Sequence, residues 1–212
     1  MLDIDVIVEP TAVATDVVSR ADLRKHLRIS STNTALDDVI DAAIAEAVDK
    51  LDGPGGELNR TILPRTYKRY MKNFPGNDEN GDPKPILLPF APLLSVLAVT
   101  IEDGSSPDNN LVVNTDYIVK TGTLVPEIHP VTAWPSVEDV VRGVSVTYQA
   151  GYTTFPDKLK RMVKILAAHY VENSEATINE PRQMMINRRV EFGMDDLRAA
   201  LKIPNSFDDW NE

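Results

Sequence analysis

Residues Gln149-Ala150-Gly151-Tyr152-Thr153-Thr154-Phe155-Pro156-Asp157-Lys158, QAGYTTFPDK, divide a segment that alternates from a segment that repeats every three to four residues. Upstream, Val144 to Tyr148 (VSVTY) alternates in the manner of a strand. Downstream, Leu159, Met162, Val163, Leu166 and Tyr170 fall on one face of a helix predicted over 156–173. Gly151 permits a backbone bend, Thr154 offers a hydroxyl cap with Asp157 three residues on, and Pro156 stands in the first turn, where its missing N–H costs nothing. The junction joins the end of a β-region to the longest helix, and carries no catalytic motif.

Working toward the N-terminus, a second helix is the most secure element of the chain. Leu36, Val39, Ile40, Ala43, Ile44, Ala47, Val48 and Leu51 make a single apolar stripe over about 35–52, with Asp37, Asp38, Asp41, Glu46 and Asp49 on the other faces. Gly53-Pro54-Gly55-Gly56 stops it. A shorter helix, about 20–28, precedes it, with Ser19 and Asp22 spaced as a capping box. The first 18 residues show no sustained period and read as an arm. Between the second and third helices, about 62–150, lie short segments rich in β-branched and aromatic residues: Thr66 to Lys72, Ile86 to Leu88, Ser95 to Glu102, Tyr117 to Lys120 and Val144 to Tyr148. The polar runs NDENGDPKP and DGSSPDNN separate some of them as loops. The fold class that follows is α+β: a small helical core of three main helices, an inserted antiparallel β-region, and an extended C-terminal arm. The main domain covers 19–177, and the arm covers 178–212 with a short helix at about 194–203.

Composition bounds the function. The 42% hydrophobic and 25% charged residues are those of a globular chain that can bury a core. With no cysteine there is no disulfide framework, no thiolate nucleophile and no cysteine zinc site. MLDIDVIVEP lacks the basic start and apolar core of an export signal. The most apolar stretch, Ile86 to Val99, is shorter than the roughly 20 residues a spanning helix needs and holds two prolines, so no membrane partner is expected. Lys and Arg number 22 against 32 Asp and Glu, for a net charge of -10, which argues against a broad basic face for nucleic acid. An acidic wall suits solubility, and also a conduit to which DNA must not stick.

Catalytic signals are absent. His26, His129 and His169 are far apart and stand in no HxxxH or HExxH pattern. Gly53, Gly55 and Gly56 follow a helix rather than a strand and lack the Lys-Ser/Thr of a phosphate loop. Asp37-Asp38, Asp195-Asp196 and Asp208-Asp209 read as solvated acidic faces, and there is no GxSxG. An enzyme, a hydrolase using one of these acidic clusters, is the reading this disfavours, and neither cofactor nor metal is expected. The local exception to the acidic balance is Arg60, Arg65, Lys68, Arg69 and Lys72, interleaved with Tyr67 and Tyr70, a pattern that binds single-stranded nucleic acid in other settings. Alternation in RTYKRYM splits these charges, with Thr66, Lys68 and Tyr70 on one face and Tyr67, Arg69 and Met71 on the other. A half-buried or edge strand is the simpler reading. Its cations then deter uncontrolled edge pairing, or meet the acidic helix of a neighbouring subunit.

Taken in order, ADLRKHLRI, LDDVIDAAIAEAVDKLDG, RTYKRYMKNFPG, ILLPFAPLLSVLAVTIEDG, DYIV, VSVTYQAGY and PDKLKRMVKILAAHYVENSEA resemble the head-to-tail connector, or adaptor, proteins of tailed bacteriophages and phage-like gene transfer agents. The resemblance runs from about Arg20 to Thr177. Gly53-Pro54-Gly55-Gly56 departs from it, where family members take a shorter turn into the first strand.

The resemblance implies a structural virion protein made in the bacterial host cytoplasm. It implies a homo-oligomeric ring, a dodecamer, docked beneath the portal at the head-to-tail interface, with DNA passing through unread and a tail-completion or stopper protein beyond. In such adaptors the C-terminal segment reaches the portal, and that role falls here to Arg188, Arg189, Phe192, Leu197, Leu201, Phe207 and Trp210. Subunit or channel contacts fall to Asp37, Asp38 and Asp41 on the acidic helix and to Arg65, Lys68 and Arg69 on the basic strand. The rival readings are another virion component, such as a tail-completion protein, and a nucleic-acid-binding module using Arg60 to Lys72.

Overall fold

The computed structural model describes residues 3–102, 109–121, 123–138, 140–173 and 194–203, and the chain is mixed α+β. It divides into two units. One takes the N-terminal residues through Thr11, residues 59–152 and Ile203, and the other takes Ala12–Leu58 with the helices that follow Thr153.

The first unit is built of antiparallel strands. Strands β1 (Asp3–Val8), β2 (Arg65–Met71), β8 (Val144–Ala150), β4 (Leu93–Ile101) and β5 (Asn109–Asn110) form one sheet in that order, and β3 (Ile86–Leu87), β7 (Glu127–Pro130) and β6 (Tyr117–Lys120) form a second. The alternation read in β2 and β8 sets their register, with Tyr67 opposite Tyr148 and Arg69 opposite Val146. Tyr67, Val99, Val146 and Tyr148 from the first sheet meet Ile86, Tyr117 and Ile128 from the second in one core. Each fully buried Ile or Val contributes about 1.5–3 kcal/mol. The Tyr67 ring lies 5.5 Å from both Phe90 and Tyr148, in tilted contacts.

Three strands exceed the sequence reading. Residues 3–8, read as part of an arm, pair with β2, Asp3 opposite Tyr70 and Val6 opposite Tyr67. Ile4 and Val6 pack on the core, but a register shift between Val6 and Val8 leaves Ile7 exposed and breaks the alternation that would have revealed the strand. β2 is therefore an inner strand and not an edge. β5 has two residues and lies at the end of a polar run, while β7 carries Pro130 in its last position, a residue that weakens any strand signal.

In the second unit, α1 (Ala14–Val17) and α2 (Arg20–Leu27) lead to α3 (Asp37–Leu51). Ser19 caps α2 as its sequence predicts: the Asp22 N–H donates to Ser19 Oγ at 3.1 Å, and Ser19 Oγ donates to the Asp22 carboxylate at 2.8 Å. α3 buries Ile40, Ala43, Ile44, Ala47, Val48 and Leu51. Val39 lies at the margin of that stripe and is exposed. The helix stops at a 3-10 turn, Gly53–Gly55, and at Gly56, where a Cβ would meet the Leu51 carbonyl at 2.5 Å.

α4 (Asp157–Glu172) packs Leu159, Met162 and Val163 against α2 and α3. It starts at Asp157 with Pro156 as the N-terminal flank, and no side-chain cap is made, which corrects the role assigned to Thr154. Proline supplies a preset φ of -61°, and its carbonyl accepts the Lys160 N–H at 3.0 Å, so it holds the N-cap position without a side-chain acceptor. Residues 194–201 form α5, with Met194 and Leu201 buried. Arg198 of α5 bonds Glu57 at 2.7 Å.

Gly151 shows why QAGYTTFPDK is a junction. Its φ is +133°, and a Cβ there would stand 2.5 Å from Pro64 Cα. Its N–H donates to the Pro92 carbonyl at 2.9 Å, and the next N–H, of Tyr152, donates to the Ile62 carbonyl at 3.0 Å. A backbone conformation that only glycine adopts readily thus ends β8.

Candidate functional site

Among the described residues no cluster of His, Asp or Glu has the arrangement of a metal centre. No helix among them is long and apolar enough to cross a membrane. His129 bonds Glu127 at 2.8 Å on β7, and His169 contacts Asn173 at the end of α4. The chemistry of this surface lies in how it distributes charge.

The basic strand is occupied by its own unit. The alternation in β2 turns Arg69 inward beside Tyr67, where it is 3% exposed and donates to the Leu87 carbonyl on β3. Burial pushes its guanidinium below the ordinary value. Lys68, on the opposite face, meets the Glu102 carboxylate at 2.6 Å, and Ser145 Oγ donates to the same carboxylate at 2.7 Å. The hydrogen bond to Glu102 holds the Lys68 ammonium above its ordinary range. Burial pushes the Glu102 carboxyl up, but the hydrogen bonds from Lys68 and Ser145 and the nearby positive charges outweigh it, leaving the group below its ordinary value.

Tyr70 on that face lies under the Arg142 guanidinium at 4.0 Å, and Arg142 makes two 2.7 Å bonds to Asp3. Arg60 bonds the Tyr152 hydroxyl at 3.3 Å, and Arg65 is half-buried at the start of β2. This strand does not offer a continuous basic face. That agrees with the half-buried reading of RTYKRYM and gives no support to the rival, a nucleic-acid module built on Arg60 to Lys72.

The acidic helix divides into two parts. Arg20 Nε donates to Asp41 at 2.8 Å, and its Nη1 donates to Asp37 at 3.0 Å. Arg24 also bonds Asp37, and donates to the Ser31 and Asn33 carbonyls at 2.9 and 2.8 Å. The Arg20 hydrogen bond, opposed by burial, holds the Asp41 carboxyl below its ordinary value. Asp37 and Asp41 therefore clamp α2 to α3 within the protomer. Asp38 is exposed, as are Glu46 and Asp49 further along the helix.

α4 carries a feature that the sequence reading passed over. Lys158, Lys160, Arg161 and Lys164 crowd its N-terminal half, and the first two stand in or beside the first turn, where positive charge opposes the helix dipole. Lys158 and Arg161 are exposed, and Lys160 and Lys164 are half-buried. The signal was present as four cations within seven residues of an acidic chain.

Of the residues assigned to portal docking, Leu197 and Leu201 are described. Leu197 is half-buried on α5, and Leu201 is 6% exposed. Arg188, Arg189, Phe192, Phe207 and Trp210 lie outside the described residues. Ile203 is buried with Ala91 and Val125 beside it, and its carbonyl accepts from Asn59 at 2.9 Å, so the chain is anchored as far as residue 203.

No protein-family model matches the chain, and no curated protein matches it in sequence. Three solved structures contain chains similar to it over nearly its whole length. A chain in the neck of an empty gene transfer agent particle, computed with C6 symmetry, matches with a TM-score of 0.68 at 18% identity, covering 97% of both chains. A chain in the virion of a native gene transfer agent particle matches with a TM-score of 0.62 at 19% identity, covering 96% of this chain and 97% of that one. One in the neck of a native particle, computed with C12 symmetry, gives 0.57 at 20% identity, covering 98% and 97%. At such identities the likeness is one of fold.

Proposed function

We propose that this chain is the structural connector, or adaptor, of a tailed phage or phage-like particle, forming a ring at the head-to-tail junction between portal and tail. The observation that carries this reading is the match to a neck chain over 97% of both chains. That match supports the reading because the likeness of fold runs over nearly the whole of both chains. Cyclic symmetry in two of the matched structures supports a ring, a dodecamer in the reading favoured here. The net charge of -10 suits a wall past which DNA moves without adhering. In this role the protein positions its partners and does no covalent chemistry.

The C-terminal segment is proposed to dock on the portal, with Phe207 and Trp210 as apolar anchors and Arg188 and Arg189 as charged ones. Leu201 serves the protomer's own packing and drops out of that set. A wider deletion would remove Met194, Leu201 and Ile203, all buried, and would confuse docking with folding. A chain ending after Ile203 is the cleaner variant. Mixed with purified portal, the full chain is expected to form a portal-bound ring by negative-stain imaging, and the shortened chain is expected to fold but not to dock. A full chain that ignores portal and binds only tail components would be a tail-completion protein of the same fold.

A further inference from the structure

The helical unit shows two unlike charged faces, and we propose that the ring closes through them: the acidic face of α3 in one copy lies against the basic face of α4 in the next. The inference rests on the ring reading above and names the surface that makes the ring.

Three observations point to it. First, Asp38, Glu46 and Asp49 are exposed on α3 and bond to no described residue, whereas Asp37 and Asp41 on the flank of the same helix are held by Arg20 and Arg24. Ala42 and Ala45, both exposed, lie on the same face, and their small side chains let a second helix approach closely. Second, Lys158, Lys160, Arg161 and Lys164 on α4 also bond to no described residue. Lys158 and Lys160 stand in or beside its first turn, where the dipole disfavours cations, and Asp157 is the one acid of that turn, so the exposed face is basic on balance. Third, α3 and α4 pack on each other through their apolar stripes, Ile40, Ala43, Ile44 and Ala47 on one and Leu159, Met162 and Val163 on the other. Their charged faces are turned away from that shared core. One protomer cannot bring the two faces together, but a head-to-tail neighbour can, and repetition of such an unlike contact closes a ring.

The dimensions agree. At about 1.5 Å per residue, the acidic stripe from Asp38 to Asp49 runs roughly 16 Å and the basic one from Lys158 to Lys164 roughly 9 Å. The basic face therefore falls within the length of the acidic one. The same cations facing a DNA channel would hold the polymer they should release. A matching acidic face in the same unit makes a second copy the better occupant.

Two triple variants test the contact. Asp38→Lys with Glu46→Lys and Asp49→Lys makes both faces basic, and Lys158→Glu with Arg161→Glu and Lys164→Glu makes both acidic. Each variant is expected to fold, by circular dichroism, and to lose the ring when purified alone or added to portal. An equal mixture is expected to recover it, with the two variants alternating in the native mass spectrum. Rings formed by either variant alone, or folded variants whose mixture stays monomeric, would overturn the contact while leaving the connector reading intact. So would unchanged rings with DNA affinity lost from the α4 variant, which would assign the cations to phosphate. A wild-type chain that stays monomeric alone and with portal would overturn the connector reading and the contact with it.

Discussion

The two units treat charge in opposite ways. In the β-unit the cations of the central strands are paired within the unit: Arg69 is buried on the Leu87 carbonyl, Lys68 and Ser145 hold Glu102, and Arg142, itself exposed, bridges Asp3 and Tyr70. In the helical unit, Asp37 and Asp41 are clamped by arginines, but the exposed Asp38, Glu46 and Asp49 on α3 and the four cations of α4, two exposed and two half-buried, form no hydrogen bond or ion pair with a described residue, Asp38 acting on Arg20 only through its charge. Pairing inside a unit serves that unit's own stability. Charge left on two unlike faces serves association, because exposed charges add little to folding and much to the choice of partner. The β-unit thus reads as complete in itself, and the helical unit as the part finished by neighbours.

Perturbing the β-unit should therefore change stability most. Tyr67→Ala removes a ring that is 0% exposed and in contact with Phe90 and Tyr148, and is expected to cost about 4 kcal/mol in chemical unfolding. Arg69→Ala leaves the Leu87 carbonyl without this donor and opens a cavity, for a loss of about 3 kcal/mol, whereas Arg69→Met refills the space and is expected to cost less. Equal losses for the two variants would show that the buried charge itself sustains the core. Gly151→Ala forces a side chain into a positive φ and against Pro64, and a loss of about 2 kcal/mol is expected by the same measurement.

How much of this was readable in sequence depends on the element. The α3 stripe and the β2 alternation were plain because many residues repeat one period, and they located Ile40 to Leu51 and the inward turn of Tyr67. β1 was hidden by the irregularity at Ile7, and β7 by Pro130. The α4 start differs from the sequence reading because Thr154 and Asp157 have the spacing of a cap, while Pro156, with its fixed φ, holds the N-cap position. The candidate surface was half visible. The acids of α3 stood out, but which of them are clamped by Arg20 and Arg24 depends on how α2 packs, and no residue spacing records that. The cations of α4 were hidden by the apolar stripe between them.

Smaller effects belong to the helical unit. The Asp41 carboxyl is held low by Arg20, so the α2–α3 clamp contributes its stability above the ordinary carboxylate pKa of about 3.9, and that contribution disappears as pH falls through the lowered value. Thermal unfolding followed from pH 6 down to about pH 2 is expected to show this acid limb in the wild type, and a shallower one in Asp41→Asn. An identical limb in both would mean that the clamp does not couple to folding. Smallest of all is the stability change expected for Arg161→Glu with Lys164→Glu, whose unfolding midpoint should remain at the wild-type position while assembly is lost. A large drop in the midpoint would make those cations part of the protomer's own fold and erase the contrast between the units.

The central claim is that the chain is a connector ring at the portal. Imaging the purified chain after incubation with portal tests it most directly. A closed ring, twelve copies in projection, seated on one end of the portal is expected; a chain that remains monomeric and unbound at every ratio of the two proteins would rule out the connector reading.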